Sequence, residues 1–149
     1  MKLTTFTDYT LRTLIYVAAS PSGRCTIAQV AAAFGISETH LVKVAHELGR
    51  QGLLRNTRGR GGGLSLAVPA ASINLGDVVR AAEGEDRLAE CFTEGGRCAI
   101  AGRCRLETAL KEASSAFYEV LARYTLADLT SNSRALARAL RWEPLPLRH

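Results

Sequence analysis

The chain has 149 residues and a mass of 16.0 kDa, with 47% hydrophobic and 22% charged residues, the size and balance of one folded domain with an appendage. A multi-domain catalytic machine, a disordered chain and a collagen-like repeat are excluded. The net charge of +5 lies wholly in the first half, where residues 1–80 hold nine Lys/Arg against four Asp/Glu while residues 81–149 hold ten of each. Only that half is expected to attract a polyanion. No 18-residue apolar run is present, so no membrane contact is expected. Lys2 stands alone before polar Thr4 and Thr5, and Arg12 interrupts the first apolar segment, which argues against a secretory leader and for a cytoplasmic protein.

In chain order, Leu11, Leu14, Ile15 and Ala18 recur at helical spacing behind Thr7 or Asp8 as a cap, and Pro21, Ser22 and Gly23 end this first helix. Thr26 with Gln29 three residues on is a capping box for a second helix burying Ile27, Val30, Ala31 and Phe34. Gly35 suits a left-handed stop. Ser37 then caps a third helix with Leu41, Val44, Ala45 and Leu48 inward, which leaves Thr39, His40, Lys43, His46, Glu47 and Arg50 outward. Two short helices about the turn Phe34-Gly35-Ile36-Ser37 have the chemistry of a helix-turn-helix.

Leu53 to Arg58 and Leu64 to Val68 read as two strands around Gly59-Arg60-Gly61-Gly62-Gly63, a hairpin tip carrying Arg58 and Arg60. A basic hairpin directly after a helix-turn-helix is a wing. The helix enters the major groove of double-stranded DNA, with Thr39, His40 and Lys43 at its start, while the tip approaches phosphates or the minor groove. The glycine run is no phosphate-binding loop, because no Lys-Ser/Thr follows it.

Asn74 to Glu83 forms a further helix burying Leu75, Val78, Val79 and Ala82. Beyond a cysteine-bearing loop, Leu106, Leu110, Ala113, Phe117, Val120 and Tyr124 repeat at spacings of four and three. That spacing reads as the seam of a helix that pairs with a twin, giving a homodimer on a palindromic operator, with an intramolecular core helix as the alternative. A last helical piece, Ser133 to Trp142, precedes a tail broken by Pro144 and Pro146.

The loop spaces Cys91, Cys98 and Cys104 with six and five residues between them, and Gly95, Gly96 and Gly102 as small spacers. Lasting disulfides are not expected in a reducing compartment. Zinc sites usually show paired Cys-x2-4-Cys units, absent here, whereas an iron-sulfur cluster is a larger body that wider spacing can reach. Cluster, zinc, thiol redox switch and plain loop cysteines all remain open on spacing alone. Arg97, Arg103 and Arg105 beside the thiols would offset an anionic cluster. Candidates for a fourth position are Cys25, His40, His46, Asp8, a water or a small thiol. Cys25, just before a helix cap, reads most simply as a buried turn residue. No Cys-x-x-Cys, His-Glu-x-x-His or nucleophile-base pair supports an enzyme or an electron carrier.

Leu3-Thr4-Thr5-Phe6-Thr7-Asp8-Tyr9-Thr10-Leu11-Arg12, the wing Arg58-Gly59-Arg60-Gly61-Gly62-Gly63, the three spaced cysteines and Tyr124-Thr125-Leu126-Ala127-Asp128-Leu129 occur in one order over nearly the whole chain. Together they resemble the IscR/NsrR family of winged-helix iron-sulfur regulators. The resemblance implies a homodimeric repressor with one cluster per subunit, 4Fe-4S in the first place and 2Fe-2S as the alternative, held by Cys91, Cys98 and Cys104. In the nitric-oxide-sensing members the remaining ligand is an N-terminal aspartate of the partner subunit, and the matching position is Asp8. Other members place a histidine just after the cysteines, where this chain has Arg105 and Leu106. That departure favours nitric oxide as the signal, with release of the operator on nitrosylation or cluster loss. Regulators of the same fold that sense cluster supply, iron or thiol oxidation are the alternative. Taken alone, Asp8 is an ordinary first-turn carboxylate paired with Arg12 four residues on.

The expected fold is therefore mainly α. A winged helix-turn-helix DNA-binding domain with a two-stranded β wing spans residues 1–83, a cysteine-rich cluster-binding loop 84–104, and a long dimerisation helix with a C-terminal tail 105–149.

Overall fold

A computed structural model describes residues 2–84, 92 and 97–140, with Ser133 as backbone only. Cys91 and the tail from Arg141 onward, including the expected helix end at Trp142, lie outside the described residues. The elements are α1 (Thr5–Ala19), α2 (Ile27–Phe34), α3 (Glu38–Arg50), β1 (Leu54–Thr57), β2 (Gly63–Leu66), a 3-10 turn (Ala70–Ser72), α4 (Leu75–Glu83), α5 (Arg105–Leu121), α6 (Leu126–Leu129) and α7 (Ser133–Ala139). The fold is the expected one, mainly helical with one two-stranded antiparallel sheet.

α1 is the central post, packing against α2, α3, α4, α6, α7 and β2. It begins a turn earlier than its apolar spacing predicts. Thr4 is the cap, its hydroxyl accepting the Thr7 N–H at 3.2 Å, while Thr7 is itself fully buried. The buried face is also wider than the predicted stripe: Leu14 is sealed, but Leu11, Ile15 and Ala18 are half-buried, and Thr10, Thr13, Tyr16 and Val17 take the remaining core positions. A helix with neighbours on several sides buries more than one stripe, and threonines allow those neighbours close.

The head otherwise follows its sequence signals. Thr26 and Gln29 form the capping box and Gly35 ends α2 at φ +63. Ser37 caps α3, whose Leu41, Val44, Ala45 and Leu48 are all buried. In α2 only Val30 is sealed; Ile27, Ala31 and Phe34 are half-buried against the core, since this short helix packs only on α3 and α1 among the described elements with extensive contacts. Ala82 is likewise only half-buried on α4.

The strands pair in register from Leu54 with Leu66 to Thr57 with Gly63, slightly shorter than predicted. Cys25 joins β2 as an extra bridge, its N–H to the Leu64 carbonyl at 3.0 Å and its carbonyl accepting the Leu64 N–H at 2.7 Å. A Cβ at Gly63 would stand 2.5 Å from the Cys25 carbonyl, so this close approach requires glycine.

α5 lies on α4 by the face bearing Ser114 and Tyr118, both buried, with the Arg80 guanidinium 4.3 Å from the Tyr118 ring centre. At its C-terminal end a Cβ on Gly76 would come within 3.0 Å of the Ala122 nitrogen, so the two backbones nearly touch. The joint is pinned by Leu75 N–H to Tyr124 O at 3.0 Å, Leu126 N–H to Ile73 O at 2.9 Å and the Asn74 amide to Ala122 O at 2.8 Å. Leu126, on the far side of α5 in sequence, is fully buried in the head's core.

Candidate nucleic-acid interface and cysteine loop

The helix-turn-helix places Thr39, His40, Lys43 and His46 on the exposed face of α3, as expected, together with Val42, which is 52% exposed. Val42 was not singled out by its sequence, since a valine in a periodic helix reads as core; it supplies an apolar surface of the kind that meets a thymine methyl. Glu47 is drawn aside: its carboxylate accepts Arg50 at 2.6 and 2.9 Å and the Gln51 amide at 2.8 Å, and these hydrogen bonds hold its pKa down at about 2. Arg50 is thus neutralised locally, which removes it and Glu47 from the free charges of this face. The Ser37 hydroxyl lies 3.2 Å from His40 Nδ1, and the Tyr9 ring of α1 sits beside the imidazole with centroids 6.0 Å apart. α1 therefore touches the start of the reading helix directly.

Arg58 and Arg60 are exposed at the wing tip. Between wing and α3 lies a groove of about 470 Å³ lined by Thr26, Glu38, Val42, His46, Arg58 and Gly59 among others. The Asn56 amide donates to the Ala45 carbonyl at 2.8 Å, fixing the wing on the back of α3. Arg24, in the turn between α1 and α2, donates from Nη1 to the Gly61 carbonyl at 3.0 Å. Sequence reasoning passed over Arg24 because nothing local to that turn announces a contact 37 residues away.

In the second expected site, Cys98 and Cys104 are half-buried free thiols, and Cys91 lies outside the described residues. Between them the chain makes two tight turns, Ala101 N–H to Cys98 O and Arg103 N–H to Ile100 O, each 3.1 Å. Cys104 is the N-cap of α5 and its side chain makes no capping bond. Two accessible thiols flanking a compact turn suit a bridging inorganic body, and the donor chemistry fits an iron-sulfur cluster. Cys25 does not fit. It is 1% exposed, burial pushes its thiol up to about 12, and it stays a protonated core residue.

Asp8, in the first turn of α1, is half-exposed and paired with Arg12 at 3.0 Å, while the Arg12 guanidinium lies 5.6 Å from the centre of the Phe34 ring at the helix-turn-helix turn. Among the described residues no three His, Cys, Asp or Glu side chains of one chain come together to hold an ion, so Asp8, Cys98 and Cys104 do not form such a group within a chain. A residue that sequence reasoning missed links the two regions. Glu83, at the end of α4 just before the cysteine segment, accepts both the N–H of Thr4 at 2.8 Å and its hydroxyl at 3.1 Å. Glu83 thereby holds the N-terminus of the helix that carries Asp8.

A reading helix, a basic wing and a closed helical head define a winged-helix DNA-binding protein. Residues 3–132 match the Rrf2 family, described as an iron-dependent transcriptional regulator, and the chain belongs to that family. It is 42% identical over 146 residues to the HTH-type transcriptional regulator NsrR of Halalkalibacterium halodurans, covering 97% of this chain and 100% of that one. The NsrR of Bacillus subtilis is 42% identical over 143 residues, 95% of this chain and 98% of the relative. Among solved structures, the oxidized form of CymR from Staphylococcus aureus superposes with a TM-score of 0.67 at 28% identity over 87% of this chain and 95% of that one. IscR of T. potens shares the fold with a TM-score of 0.71 at 24% identity over 89% and 88%. The protein is a transcriptional regulator and not an enzyme. No helix of the described residues is long and apolar enough to cross a membrane.

Proposed function

We propose that this regulator is a homodimeric repressor that senses nitric oxide through an iron-sulfur cluster in each subunit, held by Cys91, Cys98, Cys104 and the partner's copy of Asp8. The observation that carries the reading is the contrast among the thiols. Cys98 and Cys104 are free and accessible on the turn that opens α5, while Cys25 is sealed in the head. The full-length likeness to regulators named NsrR supports the signal. The outward stripe of α5 supports the same dimer, with Leu106 and Val120 exposed while the opposite face packs on α4.

When bound, the cluster supplies iron at which nitric oxide reacts. The chain's own residues do the rest. Asp8, a hard oxygen donor among soft thiolates, would be the weakest of the residues holding a cluster and so would mark the corner open to the signal. In the free chain Asp8 pairs with Arg12, whose guanidinium stands over Phe34 at the reading head. Glu83 fixes the Asp8-bearing turn to the element that leads into the cysteine segment. Thr39, His40 and Lys43 read bases, and Arg58 and Arg60 hold phosphates. Paired reading helices must stand roughly 34–36 Å apart to engage both half-sites. A swing from 99:1 bound to 1:99 requires a difference of about 5.5 kcal/mol between the two states, which a cross-subunit ligand that spaces the heads can supply.

The test is an anaerobic titration of the brown, full-length protein with nitric oxide, read by absorbance and by gel shift. Operator binding and the cluster spectrum are expected to collapse together, and Asp8→Ala to retain colour but react at an altered rate. Metal-free protein that holds the same DNA as tightly sinks the reading. The likeness to the oxidized form of CymR, together with two free loop thiols, supports a second reading in which thiol oxidation is the signal. Colourless protein released from DNA by peroxide and restored by a reductant would select it.

A further inference from the structure

We propose that Arg24 is a third DNA-phosphate contact of the wing, delivered by the α1–α2 turn rather than by the wing itself. The inference rests on the wing being a DNA-binding element, and deepens it.

Arg24 is held on a rigid platform. Its carbonyl accepts the hydroxyls of Ser20 at 2.8 Å and Ser22 at 2.9 Å, and its N–H donates to the Ser20 oxygen at 3.1 Å. The next residue, Cys25, is bonded in both directions to Leu64 of β2. Six residues of turn are thereby fixed to the base of the wing, yet the Arg24 side chain runs outward, exposed, to the Gly61 carbonyl beside Arg60. That contact uses one of the five guanidinium N–H donors and leaves the others directed to solvent at the tip.

The tip itself needs such a support. Gly59 and Gly61 have φ of +89 and +81, and a Cβ at Gly62 would stand 2.2 Å from the Thr57 carbonyl, so the hairpin can close only on glycines. A glycine tip has the largest conformational entropy to lose when it docks. A strut from a fixed turn reduces that loss before DNA arrives.

Charge points the same way. Arg24, Arg58 and Arg60 form no ion pair among the described residues, where the pairs are Arg12 with Asp8, Arg50 with Glu47 and Lys111 with Glu107. Three guanidinium groups gathered at one loop repel each other in the free protein, and a polyanion relieves the repulsion. An arginine kept there with a fixed backbone and spare donors suits a phosphate, which takes two parallel N–H bonds from a single guanidinium.

The experiment measures binding of the full chain to a mixed-sequence duplex of about 30 base pairs by fluorescence anisotropy from 50 to 200 mM salt, for the parent, Arg24→Gln, Arg24→Lys and Arg60→Ala. Losing one phosphate contact lowers the slope of log affinity against log salt by about 0.9, so the parent's affinity should fall about 3.5-fold further than that of Arg24→Gln across this range. Arg24→Lys, which keeps the charge, should keep the parent slope. The proposal is overturned if Arg24→Gln keeps the parent slope while Arg60→Ala flattens it, even if hydrogen exchange at the tip amides accelerates, because Arg24 is then a strut alone. If both variants keep the parent slope, the wing reading itself falls. Unchanged thermal midpoints for Arg24→Gln and Arg60→Ala confirm that the comparison is made on folded protein.

Discussion

In the head, every long helix starts on a side chain that accepts a backbone N–H: Thr4, Thr26, Ser37 and Asn74 cap α1 to α4, and Leu14, Val30, Leu41, Val44 and Leu48 close the core behind them. α5, the longest helix at 17 residues and about 25 Å, starts on Cys104 without a capping bond, and its seam leaves Leu106 63% and Val120 47% exposed. One region is complete within a single chain. The other presents free thiols and apolar surface outward, the features on which the proposed cluster and the proposed second subunit rest.

The contrast can be broken most severely in the head. Leu41→Ala removes a fully buried side chain and is expected to destabilise the fold by about 2–5 kcal/mol, with the same loss at every protein concentration in urea titrations. On the arm, Phe117→Glu with Val120→Glu should leave the helical circular dichroism of the head intact and convert a dimer to a monomer by sedimentation. Operator affinity should then fall at least a hundredfold, about 2.7 kcal/mol, because the second half-site is no longer bound in an intramolecular step. A variant pair that stays dimeric removes α5 as the interface.

Smaller effects sharpen the same distinction. Thr26→Ala deletes half of the capping box before α2 and should cost about 1 kcal/mol, read from the urea midpoint, whereas Cys104→Ser should change the stability of the cluster-free chain by less. Cys25 makes stability independent of pH near neutrality and dependent on it in alkali. Burial raises its folded pKa to about 12 against roughly 8.5 unfolded, so the stability tied to its protonated thiol is complete below about 8.5 and is lost as pH rises toward 12. By pH 9.5 the loss should be about 1.4 kcal/mol, and Cys25→Val should abolish that component. Among the described cysteines, Cys98 and Cys104 should be labelled by iodoacetamide in the native, cluster-free protein and Cys25 should not.

Much of the head was legible because its signals are local. Thr26 and Gln29, Gly35 and Ser37 lie within one turn of the helix ends they set, and the inward residues of α3 follow from spacing alone. The errors came where neighbours intervene. The first cap is Thr4 rather than Thr7 or Asp8, because Thr7 is taken into the core among the elements packed on α1. The stripe read on α5 does leave Leu106 and Val120 exposed, yet its last member, Tyr124, lies past the helix end at Leu121, where pairing of Leu75 with Tyr124 turns the chain back to the head.

From the order of its residues alone, this chain determined a basic helix-turn-helix with a glycine-tipped wing, three loop cysteines and a long helix with a two-sided character, since each depends on contacts a few residues apart. Which cysteine is sealed, that Glu83 grips the first helix across 79 residues, and that Arg24 reaches a wing tip 37 residues away were decided by packing. Such contacts join side chains whose sequence neighbourhoods carry no trace of each other, and only a folded chain brings them within hydrogen-bonding distance.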